Sequence, residues 1–133
     1  MKLVVDASVV AALYFPDEKP ALIAGIAQRM IEAQTFAPRL FWYEIRATAL
    51  KKERRGILPA VVVDRVLREI GAMPLVLRES GDAGEIMSHA RRHALSFYDA
   101  SYLALAIDER AQLATLDNRL AAAARAEGIL FNP

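Results

Sequence analysis

The chain has 133 residues, 55% of them hydrophobic, and carries 17 Lys and Arg against 16 Asp and Glu, for a formal net charge of +1. This length suits one globular domain that buries about two thirds of its unfolded surface, so we expect a single domain over 1–133. The hydrophobic content excludes disorder, and the balanced charge means that any nucleic-acid signal must come from local charge. No cysteine is present, which excludes disulfides, thiolate zinc sites and thiol nucleophiles.

The N-terminal segment lacks the features of a leader peptide. Asp6 interrupts its apolar run, and no stretch of the chain reaches the ~18 apolar residues that a membrane-spanning helix needs. We therefore expect a soluble, cytoplasmic protein that does not associate with a membrane.

Short apolar, β-branched runs alternate along the chain with segments of helical periodicity. The predicted strands are 3–5, 35–37, 75–77, 112–115 and 129–131. The predicted helices are 9–13, 22–31, 39–55, 59–71, 81–94, 97–110 and 117–128, with a turn over 16–20. Apolar positions of the second helix, including Ile31, are expected in the core. This alternation predicts an α/β fold in which a mostly parallel central sheet of about four to five strands is flanked by helices.

Four acidic residues fall where strands end or helices begin. Asp6 and Asp117 follow predicted strands, whereas Glu44 and Asp99 lie near the starts of helices. In a parallel sheet these points converge outside the carboxyl ends of the strands, where ligands bind, so all four carboxylates are candidates for one cleft. Each acid also has a local explanation: a helix cap for the two that follow strands, a favourable charge at a helix N-terminus for Asp99, and a solvated helix residue for Glu44.

The surroundings of two of these acids favour the cleft. Glu44 and Asp99 lie in segments that are otherwise apolar or small, and helices that are apolar all round are mostly buried. Like charges ~4 Å apart repel by roughly 4 kcal/mol at an effective dielectric constant near 20, so such a cluster must bind cations or raise its pKa values. Oxygen-only ligands suit Mg²⁺ or Mn²⁺, and Mg²⁺ keeps several waters and takes only one or two carboxylates directly.

Other catalytic motifs are absent or incomplete. The chain has no G-x-S-x-G elbow, Walker A loop or G-x-G-x-x-G fingerprint. His89 and His93 have the spacing of a helical zinc pair, but Ala90 stands where zinc proteases with this spacing have their glutamate. We therefore interpret both histidines as residues of a polar helix face.

Three basic residues share predicted helices with these acids. Lys51 and Lys52 lie at the far end of the helix that carries Glu44, and Arg119 lies two residues after Asp117. A solvated last turn, favoured by the helix dipole, accounts for the lysines. All three are also candidates for phosphate contacts.

Four segments of the chain resemble the acidic motifs of PIN-domain ribonucleases, specifically the VapC-type toxins. In order they read VVDASV at 4–9, YEI at 43–45, YDASYLALA at 98–106 and ATLDNRL at 114–120. Order, spacing and total length all match, so the resemblance covers essentially the whole chain. It implies a single PIN-like domain, a three-layer sandwich of helices around the sheet.

The resemblance also implies an activity and partners. A VapC-type toxin is a Mg²⁺- or Mn²⁺-dependent endoribonuclease, the toxin half of a type II toxin-antitoxin pair. It is usually a homodimer that a VapB-like antitoxin neutralises. Single-stranded or loop RNA is the expected substrate, because its backbone and bases are accessible there.

The resemblance assigns the site residues by position. The acids of the site, as catalytic residues and metal ligands, would be Asp6, Asp99, Glu44 and Asp117. Of these, Asp6 and Asp99 would be the principal ligands, and Ser8 and Thr115 match supporting hydroxyl positions. The candidate RNA contacts are Arg119, Lys51 and Lys52. Segment 59–85 contains nothing specific to the family, so the choice of RNA is not predicted.

Three alternative functions would also involve these acidic residues. A catalytically silent PIN-like module would keep the fold and bind only RNA or protein. A metal-dependent phosphatase of the haloacid dehalogenase type needs a second aspartate two residues after the first, where this chain has Ser8. A phospho-receiver domain needs a late lysine, and the last lysine here is Lys52. The nuclease is therefore the leading hypothesis.

Overall fold

Four short strands form one sheet at the centre of the fold. The computed structural model describes residues 1–15 and 19–133, and within them the strands are β1 (Lys2–Val5), β2 (Gln34–Pro38), β3 (Leu75–Arg78) and β4 (Gln112–Ala114). Their order across the sheet is β3-β2-β1-β4, and each neighbouring pair is parallel. Val4 lies in the middle of the register, opposite Phe36 on one side and Leu113 on the other.

The described ranges contain seven helices, of which six connect the strands and the last, α7, follows β4. They are α1 (Ala7–Tyr14), α2 (Pro20–Glu32), α3 (Phe41–Arg54), α4 (Ala60–Gly71), α5 (Ala83–His93), α6 (Phe97–Glu109) and α7 (Asn118–Ala126). Because crossovers between parallel strands are right-handed, α1 to α4 cover one face of the sheet and α5 and α6 cover the other. The predicted α/β sandwich is thus confirmed. No helix of the described residues is both long and apolar enough to cross a membrane.

The strand order places the topological switch point of the sheet between β1 and β4. From β1 the chain moves outward through β2 to β3, and it then returns to the opposite side of β1 to form β4. The connections that leave β1 and β4 therefore diverge and leave a crevice outside the carboxyl ends of these two strands. Asp6 and Thr115 are the residues that directly follow them.

Helix α6 forms the centre of the core on its side of the sheet. Residues 100–106 are all buried, and the helix packs on β1, β2 and β4. The alanines in this segment let the helix axis approach the sheet closely, because a methyl group occupies little space between the two layers. Among the described residues, Tyr102 is the largest fully buried side chain, with 1% of its surface exposed.

Two local predictions are wrong. Segment 129–131 is not a strand, because β4 has only three residues and offers just Leu113 as a partner, to which Leu130 forms an isolated bridge. Ile31 is 80% exposed, because α2 faces the core through Ile26. The predicted turn over 16–20 includes residues 16–18, which lie outside the described residues.

Glu109, at the end of α6, joins this helix to two strands. Its carboxylate accepts hydrogen bonds from Lys2 Nζ at 3.1 Å and from Arg78 at 2.8 Å. The bond from Lys2, helped by Arg78, holds the pKa of Glu109 below its usual value. Because the folded-state pKa is lowered, the resulting stabilisation is present above the ordinary pKa and is lost as the pH falls through the folded-state value.

We expect Glu109→Gln to lower the free energy of unfolding near neutral pH by less than about 1 kcal/mol, since both partners are partly exposed. Urea denaturation over a pH series should show this difference shrinking in acid. Glu79→Gln is the control, because its pair with Arg39 is exposed on both sides and should contribute little. A difference from wild type that persists unchanged in strong acid would contradict the assignment.

Candidate active site

Asp6 occupies the junction between β1 and α1. Its extended backbone makes it the N-cap of α1, and its Oδ1 accepts the backbone N–H of Val9 at 3.2 Å. The hydroxyl of Ser8 donates to Oδ1 and that of Thr115 donates to Oδ2. The carboxylate is therefore held from three directions and only 6% of the residue is exposed.

Among the described residues, no positively charged group pairs with Asp6. Within 1–15 and 19–133, no ion pair includes Asp6, Glu44, Asp99 or Asp117. Burial raises the pKa of Asp6 to about 6, against the opposing effect of its three hydrogen bonds, and Asp99 raises it further. Desolvation of the carboxylate is thus the main cause of the raised pKa of Asp6.

The two hydroxyls also join the loop after β1 to the loop after β4. Ser8 Oγ accepts the backbone N–H of Leu116 at 3.2 Å, and Thr115 Oγ1 accepts that of Asp117 at 3.0 Å. Asp117 in turn caps α7, since its Oδ1 accepts the backbone N–H of Leu120 at 2.8 Å. Both hydroxyls therefore donate to Asp6, and Ser8 accepts from the loop after β4 whereas Thr115 accepts within its own loop, which fixes the geometry of the crevice.

Glu44 and Asp99 lie in the first turns of α3 and α6, as predicted. Glu44 Oε1 accepts a hydrogen bond from Tyr102 Oη at 2.6 Å, and the backbone N–H of Asp99 donates to the capping hydroxyl of Ser96 at 3.0 Å. Burial is the main cause that raises the pKa of both carboxyl groups.

Asp99 is the electrostatic centre of the four acids. Its charge raises the pKa of Asp6 and of Glu44, and the charge of Asp117 raises the pKa of Asp99. Asp6, Glu44 and Asp117 thus each lie close enough to Asp99 for the two negative charges to repel. Even so, among the described residues no three acidic or histidine side chains are arranged so that they could hold a metal ion by themselves.

A model of the PIN-domain family matches residues 3–126 of this chain. The chain belongs to the PIN-domain family. It is 35% identical over 124 residues to Ribonuclease VapC3 from Pyrobaculum aerophilum, and the alignment covers 91% of this chain and 93% of that protein. The family resemblance carried by the four acidic motifs is therefore confirmed.

Solved structures show the same PIN fold. The crystal structure of PAE2754 from Pyrobaculum aerophilum matches with a TM-score of 0.74 and 26% identity, over 92% of this chain and 84% of that one. The structure of VapC20 from Mycobacterium tuberculosis, a toxin that cleaves the sarcin-ricin loop, matches with a TM-score of 0.65 and 14% identity, over 91% of this chain and 94% of that one.

The donor set of this PIN domain suits a hydrated divalent ion. Carboxylate and hydroxyl oxygens surround the crevice, and no cation of the described residues pairs with the four acids. Mg²⁺ retains several waters and needs only one or two direct carboxylates, so it does not require a closed cage of three protein ligands. The chemistry of the residues therefore fits Mg²⁺ or Mn²⁺ bound partly through water.

The capping and ligand interpretations of the acids are compatible. Asp6 and Asp117 do cap α1 and α7, which was the local explanation for both. A cap uses one carboxylate oxygen for a backbone N–H and leaves the group charged. At the switch point of this PIN domain, capping thus orients these acids without neutralising them.

Tyr102 is a site residue that sequence analysis missed. The phenol is buried and donates to Glu44, although the two residues are 58 positions apart. One signal was available: Tyr102 lies three residues after Asp99, and residues at this spacing share a helix face. A polar group on that face of an apolar helix needs a partner once it is buried.

The basic candidates lie outside this hydrogen-bonded cluster. Lys52 Nζ lies 5.4 Å from the centre of the Phe15 ring, so this side chain reaches the C-terminal end of α1. Lys51 and Arg119 are exposed. No contact recorded for the described residues joins any of the three to the four acids, and their roles remain predictions.

The histidine pair fits the polar-face interpretation only in part, because the His93 side chain is 12% exposed and His89 Nδ1 is buried without a hydrogen-bond partner among the described residues. His93 Nε2 lies 2.8 Å from Glu127 Oε1, which ties the end of α5 to the end of α7. His89 is half-buried one turn earlier in α5. Among the described residues, neither belongs to a group that could hold a metal ion.

The buried charge of Asp6 predicts a pH-dependent stability of the metal-free protein. Because the folded-state pKa lies above the ordinary value of 3.8, stability is greatest below that ordinary pKa and falls as the pH rises through about 6. Raising the pKa of Asp6 from 3.8 to about 6 corresponds to a loss of about 3 kcal/mol in the free energy of unfolding once the group is ionised. Urea denaturation in a chelator should show this decline between about pH 4 and pH 7.

Asp6→Asn should flatten this decline, since an amide does not ionise. Asp64→Asn, which changes an exposed aspartate on α4, should keep the wild-type profile. An equal pH dependence in wild type and Asp6→Asn would contradict the uncompensated charge.

Proposed function

We propose that this PIN domain is a Mg²⁺- or Mn²⁺-dependent endoribonuclease that acts as the toxin of a toxin-antitoxin pair. The observation that carries the proposal is the group of four carboxylates at the switch point of the sheet: Asp99 lies close enough to interact with the other three, and no cation of residues 1–15 and 19–133 pairs with any of them. The relationship to Ribonuclease VapC3 over most of both chains supports the same activity. We treat 1–133 as one domain.

Asp6 and Asp99 are proposed as the direct ligands of the ion, with Glu44 and Asp117 acting through its waters. When bound, the ion activates a water molecule and stabilises negative charge on the phosphate oxygens. The chain supplies the placement of the acids: Ser8 and Thr115 hold Asp6, and the first turns of α3 and α6 present the two half-buried carboxylates. No side chain serves as a nucleophile.

Single-stranded or loop RNA is the proposed substrate. A metal site in an open crevice acts on a backbone that can reach it, and the phosphates of unpaired RNA can be splayed toward the protein. Lys51, Lys52 and Arg119 are proposed to contact neighbouring phosphates, where positive charge offsets the repulsion between RNA and the acidic crevice. A VapB-like antitoxin is the proposed inhibitor, and the toxin is proposed to act as a homodimer in the cytoplasm.

The activity is tested with a pool of RNA hairpins that carry randomised loops. We expect purified protein to cut within the loops when Mg²⁺ or Mn²⁺ is present and to stop when a chelator is added. Asp6→Asn and Asp99→Asn should each lower the cleavage rate by about 100-fold or more. Even the loss of a residue that only hydrogen-bonds to a metal ligand typically lowers activity 10–100-fold.

Asp64→Asn is the matched control for this experiment, because it makes the same change at an exposed position on α4 and should leave cleavage unchanged. Cleavage that persists in Asp6→Asn and Asp99→Asn would contradict the assigned site. Binding of the hairpins without cleavage under any divalent ion would instead identify a catalytically silent module.

A further inference from the structure

Tyr102 connects three segments that carry acids of the candidate site. Its own helix, α6, carries Asp99 one turn earlier on the same face. Its hydroxyl donates to Glu44 Oε1 at 2.6 Å, which reaches α3. The backbone amide of Ala7, the residue after Asp6, also interacts with the phenol oxygen. One buried hydroxyl group thus lies between the elements that present Asp6, Glu44 and Asp99.

We propose that Tyr102 is a positioning residue that orients the Glu44 carboxylate toward a divalent ion in the crevice. This role rests on the proposed function, which places that ion between the acids. The phenol engages only one carboxylate oxygen of Glu44, so the other oxygen is able to face the ion or one of its waters. Partners of this kind fix the orientation of metal-binding groups in many metalloproteins.

The energetics keep the pair together. A hydrogen bond from a hydroxyl to a carboxylate is charge-assisted, and 2.6 Å lies in the range of strong bonds of this type. Tyr102 is 1% exposed, so its buried O–H would lose its acceptor if Glu44 rotated away. Glu44 therefore has one preferred orientation before any ion binds.

Tyr102 acts through Glu44 and does not itself exchange protons. Burial, together with the hydrogen bond to Glu44 and its negative charge, raises the pKa of Tyr102 far above its usual value. The phenol thus stays protonated and always donates. The same bond lowers the pKa of Glu44 against the effect of burial, which helps to keep that carboxylate charged for the ion.

The experiment measures Mn²⁺ affinity by electron paramagnetic resonance of the free ion, without RNA. We expect Tyr102→Phe, which keeps the buried ring, to weaken Mn²⁺ binding about tenfold. Tyr98→Phe removes the same hydroxyl group one turn earlier in α6, at a position that is 63% exposed, and should leave the affinity unchanged.

A second background separates positioning from packing. Glu44→Ala removes the group through which Tyr102 is proposed to act, so adding Tyr102→Phe to it should not change Mn²⁺ affinity further. Glu44→Asp, which draws the carboxylate back from the phenol, should weaken binding and should also become insensitive to Tyr102→Phe. Circular dichroism melting curves establish that each variant is folded.

The outcomes distinguish this role from the proposed function. If wild type binds Mn²⁺ and Tyr102→Phe binds it equally well, the positioning role is wrong and the metal site stands. If Tyr102→Phe weakens binding as much in the Glu44→Ala background as in wild type, the effect comes from packing and the role is also wrong. If wild type binds no Mn²⁺, the proposed function fails and the role fails with it.

Discussion

A buried carboxylate without a cation is the constraint on which the candidate site depends. Asp6 caps α1, and the hydroxyls of Ser8 and Thr115 donate to its two oxygens. These bonds fix the position of the charge but do not neutralise it, and burial still raises the pKa to about 6. Near neutral pH this negative charge lowers the stability of the fold, and positive charge supplied from outside the chain would offset that cost.

The topology explains why acids far apart in the sequence share this region. The order β3-β2-β1-β4 sets the carboxyl ends of β1 and β4 side by side, and the helices that follow or cross them begin at the same edge. Helix N-termini favour negative charge, which stabilises Glu44 and Asp99 in the first turns of their helices. Mutual repulsion opposes this arrangement, and a divalent ion bound between the carboxylates would relieve it.

Local rules predicted much of this fold and site from the sequence. The break between a β-branched run and a helix at Asp6, and the similar break at Asp117, depend on neighbouring residues, so both junctions were found. The sequence does not predict features that depend on distant partners. Tyr102, for example, contacts Glu44 only because the fold brings α6 and α3 together. For the same reason the sequence wrongly predicts a strand over 129–131, since the composition of this segment does not reveal that its partner β4 is short.

Anomalous X-ray diffraction from crystals soaked in Mn²⁺ would show whether a divalent ion compensates the charge of these acids. We predict an anomalous peak in contact with the carboxylates of Asp6 and Asp99, which disappears in Asp6→Asn crystals grown under the same conditions. Manganese found only at exposed carboxylates such as Glu79, with none beside Asp6 and Asp99, would contradict the claim.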